Sequence, residues 1–352
     1  MPAAPDAGTR IGFRAYLWQF KAGIVAVAVA EAAGIAGYGL GDGSIALRPL
    51  DDPEAPNTRR LIVHPDAALL CMAAAPGGDG FLSGGDDGRL MRTSVAGEGE
   101  ELAAVPRKWI EHIAVADNGS ARNSLLAYSV GKRVGLLDGE GRPVAVFEDH
   151  PSTVSGLAFN PKGKRLVAAH YGGVTLWWAK AEAQQPKRLN WKSSHIGVTW
   201  SGDGKFVMTA TQENEMHGWR LADGADMRMS GYPSKPRSFS WSRDGRWLAT
   251  AGADVVVVWD CRGKGPMGSA PVELSRGALV TAVAFHPRHS LIASGHADGM
   301  LRLGRLADNS SIELEQVGNA PVTALAWSAD GRYLIAGGED GAAALLDFEA
   351  GS

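Results

Sequence analysis

Three histidines, His286, His289 and His296, are the nearest approach in this chain to a metal-ligand cluster. Closely spaced histidines can hold zinc if their rings converge on one point. Here the first two fall in a turn after one strand-like stretch, and the third falls in the turn after the next. Those turns open on opposite faces about a strand length apart, so no shared metal is expected. Aspartates at 42, 87, 254, 298 and 340 could bind calcium or move protons, but they recur periodically, which fits hairpin turns better. GGDGFLSGGDDG (77–88) has the glycine content of a phosphate loop, yet it precedes no helix and lacks the closing Lys–Ser/Thr. No Ser/His/Asp or Cys/His arrangement stands out. The reading is therefore a non-enzyme, with no catalytic residue, no metal and no cofactor.

The elements that carry these residues repeat. VSGLAFNPKG (154–163), HIGVTWSGDG (195–204), PRSFSWSRDG (236–245), VTAVAFHPRH (280–289) and VTALAWSADG (322–331) are copies of one pattern, spaced about 41 to 44 residues apart. Each alternates apolar and polar residues and runs into a tight turn, and the period is that of a four-stranded propeller blade. Second strands follow at 164–173, 205–214, 246–255, 290–299 and 332–341, and third strands end near Trp178, Trp219, Trp259–Asp260 and Asp347. The amino-terminal third is more diverged but follows the same plan. Units begin near 24, 69, 110, 154, 195, 236, 280 and 322.

This predicts an all-β fold, a single β-propeller of eight four-stranded blades, with seven as the alternative. Residues 1–9 are expected to be a disordered tail and 10–352 one domain. Outer strands lie between units, but too few residues follow Asp347 to supply the last one. RIGFRAYLWQFK (10–21) belongs to no unit and fits that vacancy, so the N-terminal strand should pair with the last blade. Such closure removes an open edge. Trp200, Trp241, Trp327, Phe159 and Phe285 share one strand position and should fill the spaces between blades.

Bulk properties narrow the function. A net charge of −3 and a pI near 6.3 give no basic footprint for nucleic acid. Cys71 and Cys261 cannot make a disulfide framework and read as reduced thiols, which suits a cytoplasmic location better than an exported one. Residues 22–40 resemble a membrane span superficially. Glu31 interrupts them, and they fit two strands of the first unit, so no membrane span is expected. Heavy Ala, Gly and Arg usage fits a GC-rich bacterial gene.

The pattern resembles the WD-repeat β-propeller family over almost the whole chain, with the hallmark dipeptide present as Trp259–Asp260. The resemblance implies a hydrogen-bonded set of His, Ser/Thr, Asp and Trp within each unit. Only parts of it are present: Thr250, Asp254 and Trp259 with Tyr232 in the His place; Ser294 and Asp298 with Arg276 in that place; and His150 with Trp178. Asp42, Asp87 and Asp340 hold the turn position in their units. The resemblance also implies that one or more proteins dock on the loops before first strands and between second and third strands. Lys108, Trp109, His150, Tyr171, Trp191, Lys192, His195, Tyr232 and Lys235 lie in those loops and mix aromatic with cationic residues, the composition of an interface hot spot. Trp191 and Tyr232 have a plainer reading, as covers for blade ends. The leading expectation is a monomeric interaction scaffold, with small-molecule or metal binding at the central channel as the alternative.

Overall fold

The computed structural model describes residues 12–55, 59–148, 150–179 and 185–349, so the tail expected over 1–9 lies outside the described residues. Strands dominate, interrupted by two short 3-10 turns, Glu31–Ala33 and Ala121–Asn123. Several hairpins turn where alternation stops at an Asp-Gly pair, as at Asp42-Gly43, Asp87-Gly88, Asp298-Gly299 and Asp340-Gly341. At one of them Asp87 Oδ1 accepts the Arg89 N–H (3.0 Å). The following Gly88 takes φ +78°, and a Cβ there would lie 2.2 Å from the Val105 carbonyl oxygen. Only glycine fits such a turn without strain.

Among the described residues the strands form seven hydrogen-bonded sheets, six of four strands and one of six. Counted as sheets, the propeller therefore has seven, the alternative number. All eight sequence units are nevertheless present, because the six-stranded sheet carries two of them. Its strands Arg165–Trp178 and Lys187–Trp200 are each 14 residues long. The first folds back on itself, as Ala179 N–H donating to Lys164 O (2.9 Å) shows. The second is the outer strand of the fourth unit and the first strand of the fifth.

Buried side chains gather between consecutive units rather than at one centre. Phe206 and Met208 of the fifth unit pack on Leu248 and Trp259 of the sixth, and Leu334 and Leu346 of the eighth on Leu301 and Leu303 of the seventh. The aromatic first-strand position bridges these seams. Trp200 and Trp327 donate their indole N–H to Ala158 O and Ala284 O of the preceding unit, 3.1 Å in both cases. First-strand hydroxyls bridge them too: Thr281 donates to Val322 O (2.7 Å) and Thr323 to Ile24 O (2.6 Å).

The last of these bonds joins the eighth unit to the first, and the N-terminal strand seals the same seam. Arg14–Gln19 pairs antiparallel with Ala342–Asp347, in register from Arg14 opposite Asp347 to Gln19 opposite Ala342. Its aromatic side, Tyr16 and Trp18, together with Phe20, packs on a cluster containing Ile24, Tyr38, Tyr333 and Leu345. Tyr38, fully buried, donates its hydroxyl to Ala344 O (3.0 Å). The apolar stretch 22–40 forms the strands Ile24–Ala30 and Ile35–Leu40 of the first unit. Among the described residues no helix is long and apolar enough to cross a membrane.

Candidate functional site

Loops before first strands and turns between second and third strands share one end of the propeller, here the upper face. Several histidines just beneath that face are held by the fold. His64 donates from Nδ1 to the Asp87 carboxylate (3.1 Å), and Nε2 accepts from the Ser83 hydroxyl (3.0 Å). His150 donates from Nδ1 to Lys132 O (2.8 Å) and accepts the Trp177 indole N–H on Nε2 (3.0 Å). In the sixth unit a tyrosine takes this place: the Tyr232 hydroxyl shares a 2.7 Å bond with Thr250 Oγ1 and accepts the Trp259 indole N–H at 2.8 Å. In the seventh unit the histidine comes from the second strand, with His296 bonding Ser294 (3.1 Å) and Ala278 O (2.8 Å).

Three residues expected on the docking rim therefore lie inside. His150, His195 and Tyr232 are buried. His195 donates from Nε2 to Trp191 O (3.1 Å) and shares Nδ1 with Thr209 Oγ1 (2.8 Å). Trp191 is half-buried and stacks on the His217 ring, with centroids 4.1 Å apart and planes inclined by 18°. Its plainer reading fits this geometry better. Trp191→Ala is expected to lower stability by about 2 kcal/mol, read as a shift in urea midpoint, because it uncovers a buried ring. An unchanged midpoint would return Trp191 to the exposed surface.

What the upper face does expose is Trp109 (59%) and Tyr171 (56%), with Lys108 exposed and Lys235 half-buried on loops of the same face and Lys192 exposed within the strand Lys187–Trp200. Trp109 sits in the loop entering the third unit, anchored by Ile110 N–H donating to Gly85 O (3.1 Å). Tyr171 sits on the second hairpin of the fourth unit, its N–H bonded to Ser152 Oγ (2.8 Å). The fold places both rings in water.

The repeated aspartates divide by role. Asp298 and Asp340 accept the N–H two residues on, from Met300 (3.2 Å) and Ala342 (3.1 Å), and Asp42 accepts from Ser44 Oγ (2.6 Å). Asp260 holds Arg246 (2.9 Å) at the opposite end of its blade. Asp254 lies outside the inner set, exposed and paired with Arg276 (2.6 Å). Arg276 therefore points to solvent rather than standing in for the histidine. A second correction is one of facing: Trp177, not Trp178, meets His150, stacked on Phe147 at 4.6 Å, while Trp178 is 52% exposed. His64 was missed altogether, although it stands just ahead of the second unit as His150 does ahead of the fourth.

The histidine trio splits as its turns required. His286 and His289 share a turn, with ring centroids 4.8 Å apart, whereas His296 is buried in the inner set of its unit. Among the described residues no three His, Cys, Asp or Glu side chains converge as a metal site. Both thiols are free, and burial pushes each up to about 12. The strands Ile24–Ala30, Leu69–Ala74, Ile113–Ala116, Gly156–Phe159, Phe239–Trp241, Val280–Phe285 and Val322–Trp327, innermost in their units, carry no Asp, Glu, Lys or Arg.

Residues 283–352 match the family profile described as the anaphase-promoting complex subunit 4 WD40 domain. Residues 141–178 and 227–260 match the WD domain, G-beta repeat. No curated protein is significantly similar in sequence. Among solved structures, the computationally designed Ika8 protein superposes with a TM-score of 0.74 over 94% of this chain and 97% of its own, at 19% identity. That likeness is one of fold.

Proposed function

Since the chain belongs to the WD-repeat β-propeller family, whose fold commonly serves as a protein-interaction scaffold and is typically non-enzymatic, we propose that it is a scaffold that docks a partner protein on the upper face. One observation carries this reading: Trp109 and Tyr171 stay exposed beside cations on a face where neighbouring aromatics are tucked in. Large aromatic rings lose hydration cheaply on binding and dominate interface energetics. Two free thiols, Cys261 buried and Cys71 partly so, support a reducing, cytoplasmic location.

Affinity purification from the native cell with mass spectrometry tests the proposal, comparing the wild type with Trp109→Ala/Tyr171→Ala. Both rings are exposed, so the melting point should not move. Truncating a hot-spot aromatic costs on the order of 2 kcal/mol of binding, so partner recovery should fall roughly 30-fold. Recovery of the same partners at wild-type levels would remove the upper face from consideration.

A further inference from the structure

The fourth unit departs from its neighbours at two places on the lower face, opposite Trp109 and Tyr171. In the fifth, sixth and eighth units the turn after the first strand holds Asp203, Asp244 and Asp330. Each carboxylate accepts the hydroxyl of Ser201, Ser242 or Ser328, at 2.7, 2.6 and 2.6 Å. The fourth unit has Asn160 at the serine place and Lys162 at the aspartate place.

The second departure lies across the same hairpin. In the sixth and eighth units the third strand ends in Asp260 and Asp347, which neutralise Arg246 and Arg332, both at 2.9 Å. Equivalent backbone bonds fix the alignment: Cys261 N to Arg246 O (2.7 Å), Phe348 N to Arg332 O (3.0 Å) and Ala179 N to Lys164 O (2.9 Å). Trp178 therefore occupies the aspartate place, opposite Arg165 and one residue along from Lys164. The two carboxylates that the sixth and eighth units hold at these places are here a lysine and a tryptophan, while the fifth and seventh units carry Arg220 and Arg305 at the second place.

Their replacements converge. Lys162, Lys164 and Trp178 line an open cleft of about 460 Å³ with Asn118, Asn123 and Leu125 of the third unit. Behind it the Arg165 guanidinium lies 5.1 Å from the Trp178 ring and 5.6 Å from Trp200, and its Nε is buried without a hydrogen-bond partner. Among the described residues Lys162, Lys164 and Arg165 make no ion pair, whereas Lys205 of the next unit holds Asp203 at 2.8 Å. Among the fourth, fifth, sixth and eighth units only the fourth leaves this rim cationic and aromatic; the seventh also lacks the serine–aspartate pair, having His286 and Arg288 at those places.

We infer that this cleft binds an acidic peptide segment of a partner protein, with carboxylates against Lys162 and Lys164 and an apolar side chain on the Trp178 ring. Free phosphate fits less well. The N–H groups of Lys164 and Arg165 are both taken by Asn160 Oδ1 (2.9 Å each), so the turn offers no cradle of backbone donors. Nucleic acid would need a longer basic track than two lysines on a chain of net charge −3. The cleft is a second site, on the face opposite the proposed docking rim, and does not depend on it.

Panning phage-displayed random peptides on the wild type tests this, with counter-selection on Lys162→Asp/Trp178→Asp, which has the aspartates of the eighth unit. Recovered peptides are then labelled and titrated. The expected result is enrichment of Asp/Glu-rich peptides with a neighbouring large apolar residue, binding the double variant roughly tenfold or more weakly and fading with salt. Trp109→Ala/Tyr171→Ala should bind them as the wild type does. Trp178→Asp places a carboxylate opposite Arg165 and one residue along from Lys164, so the variant should melt no lower than the wild type. If it does, Lys162→Ala/Lys164→Ala is read in the same assay. No acidic enrichment, or equal affinity for wild type and variant, overturns the inference. So does loss of the peptide to inorganic pyrophosphate at equal ionic strength, which would assign the cleft to a small anion.

Discussion

Removal of residues 1–21 is expected to leave the protein insoluble, or soluble with a melting point lower by on the order of 10 °C. The strand Arg14–Gln19 caps the outer edge of the last unit, and Gln19 Nε2 adds a bond to Asp340 O (2.6 Å). Beyond it Phe20 N–H donates to Gly341 O (2.9 Å), where Gly341 takes φ +85° and any Cβ would lie 2.5 Å from Phe20 O. Tyr16, Trp18 and Phe20 cover the seam between first and last units, and the Arg48 guanidinium lies 4.5 Å from the Trp18 ring. At about 1.5 kcal/mol for each partly buried ring, the loss approaches 5 kcal/mol, against a total of roughly 5–15 kcal/mol. It also bares a strand edge that invites aggregation. Scanning calorimetry of the truncated chain beside Trp18→Ala, which keeps the ladder, separates the ring from the pairing. Deleting residues 1–8 spares the strand and should be silent. An unshifted melting point after removal of 1–21 would mean that closure contributes nothing.

Acidification from pH 6.5 toward 4 should destabilise the protein steeply, before most of its carboxylates titrate. Burial lowers His112 and His217 to about 4 and also depresses His170, His195, His286 and His296. At His217 desolvation outweighs the Asp226 carboxylate 3.6 Å away. Among the described residues neither ring nitrogen of His217 has a hydrogen-bond partner, and the side chain is 1% exposed. A depressed histidine is neutral in the folded chain but protonates near pH 6.5 when unfolded. Its stabilisation is therefore full above 6.5 and lost as the pH falls toward the folded value. For His217 the loss is on the order of 3 kcal/mol by pH 4. Asp260, held near 2 by Arg246 and Arg262, acts only below this window. His217→Phe keeps an aromatic ring on Trp191 and removes the proton site, so its stability should fall less between pH 6.5 and 4.5 in urea titrations. A wild type equally stable at both pH values, or a variant that falls as steeply, would rule this out.

Much of the architecture was legible before any coordinates. Alternation, Asp-Gly turns and the repeat period depend on residues a few positions apart, so the strands of each unit follow from local chemistry. The closing strand was legible for a different reason, since the pattern needs one outer strand more than the chain between units provides. Facing was harder. Side chains alternate with a period of two, so one position decides whether a ring is core or surface. Trp177 and Trp178 are adjacent and equally aromatic, and only the strand register assigns the first to His150 and the second to solvent. The rim residues parted for the same cause. His195 and Tyr232 found hydroxyl partners on the neighbouring strand and turned inward, while Trp109 and Tyr171 stayed in water. Whether two units share one sheet likewise waited on the ladder bonds. Repeat, turns and closure were thus determined by the sequence, because their causes are local or arithmetical. The inward or outward facing of each aromatic, and the meeting of Lys162 with Asn118 across two units, were decided by tertiary structure, because packing sets which distant residues become neighbours.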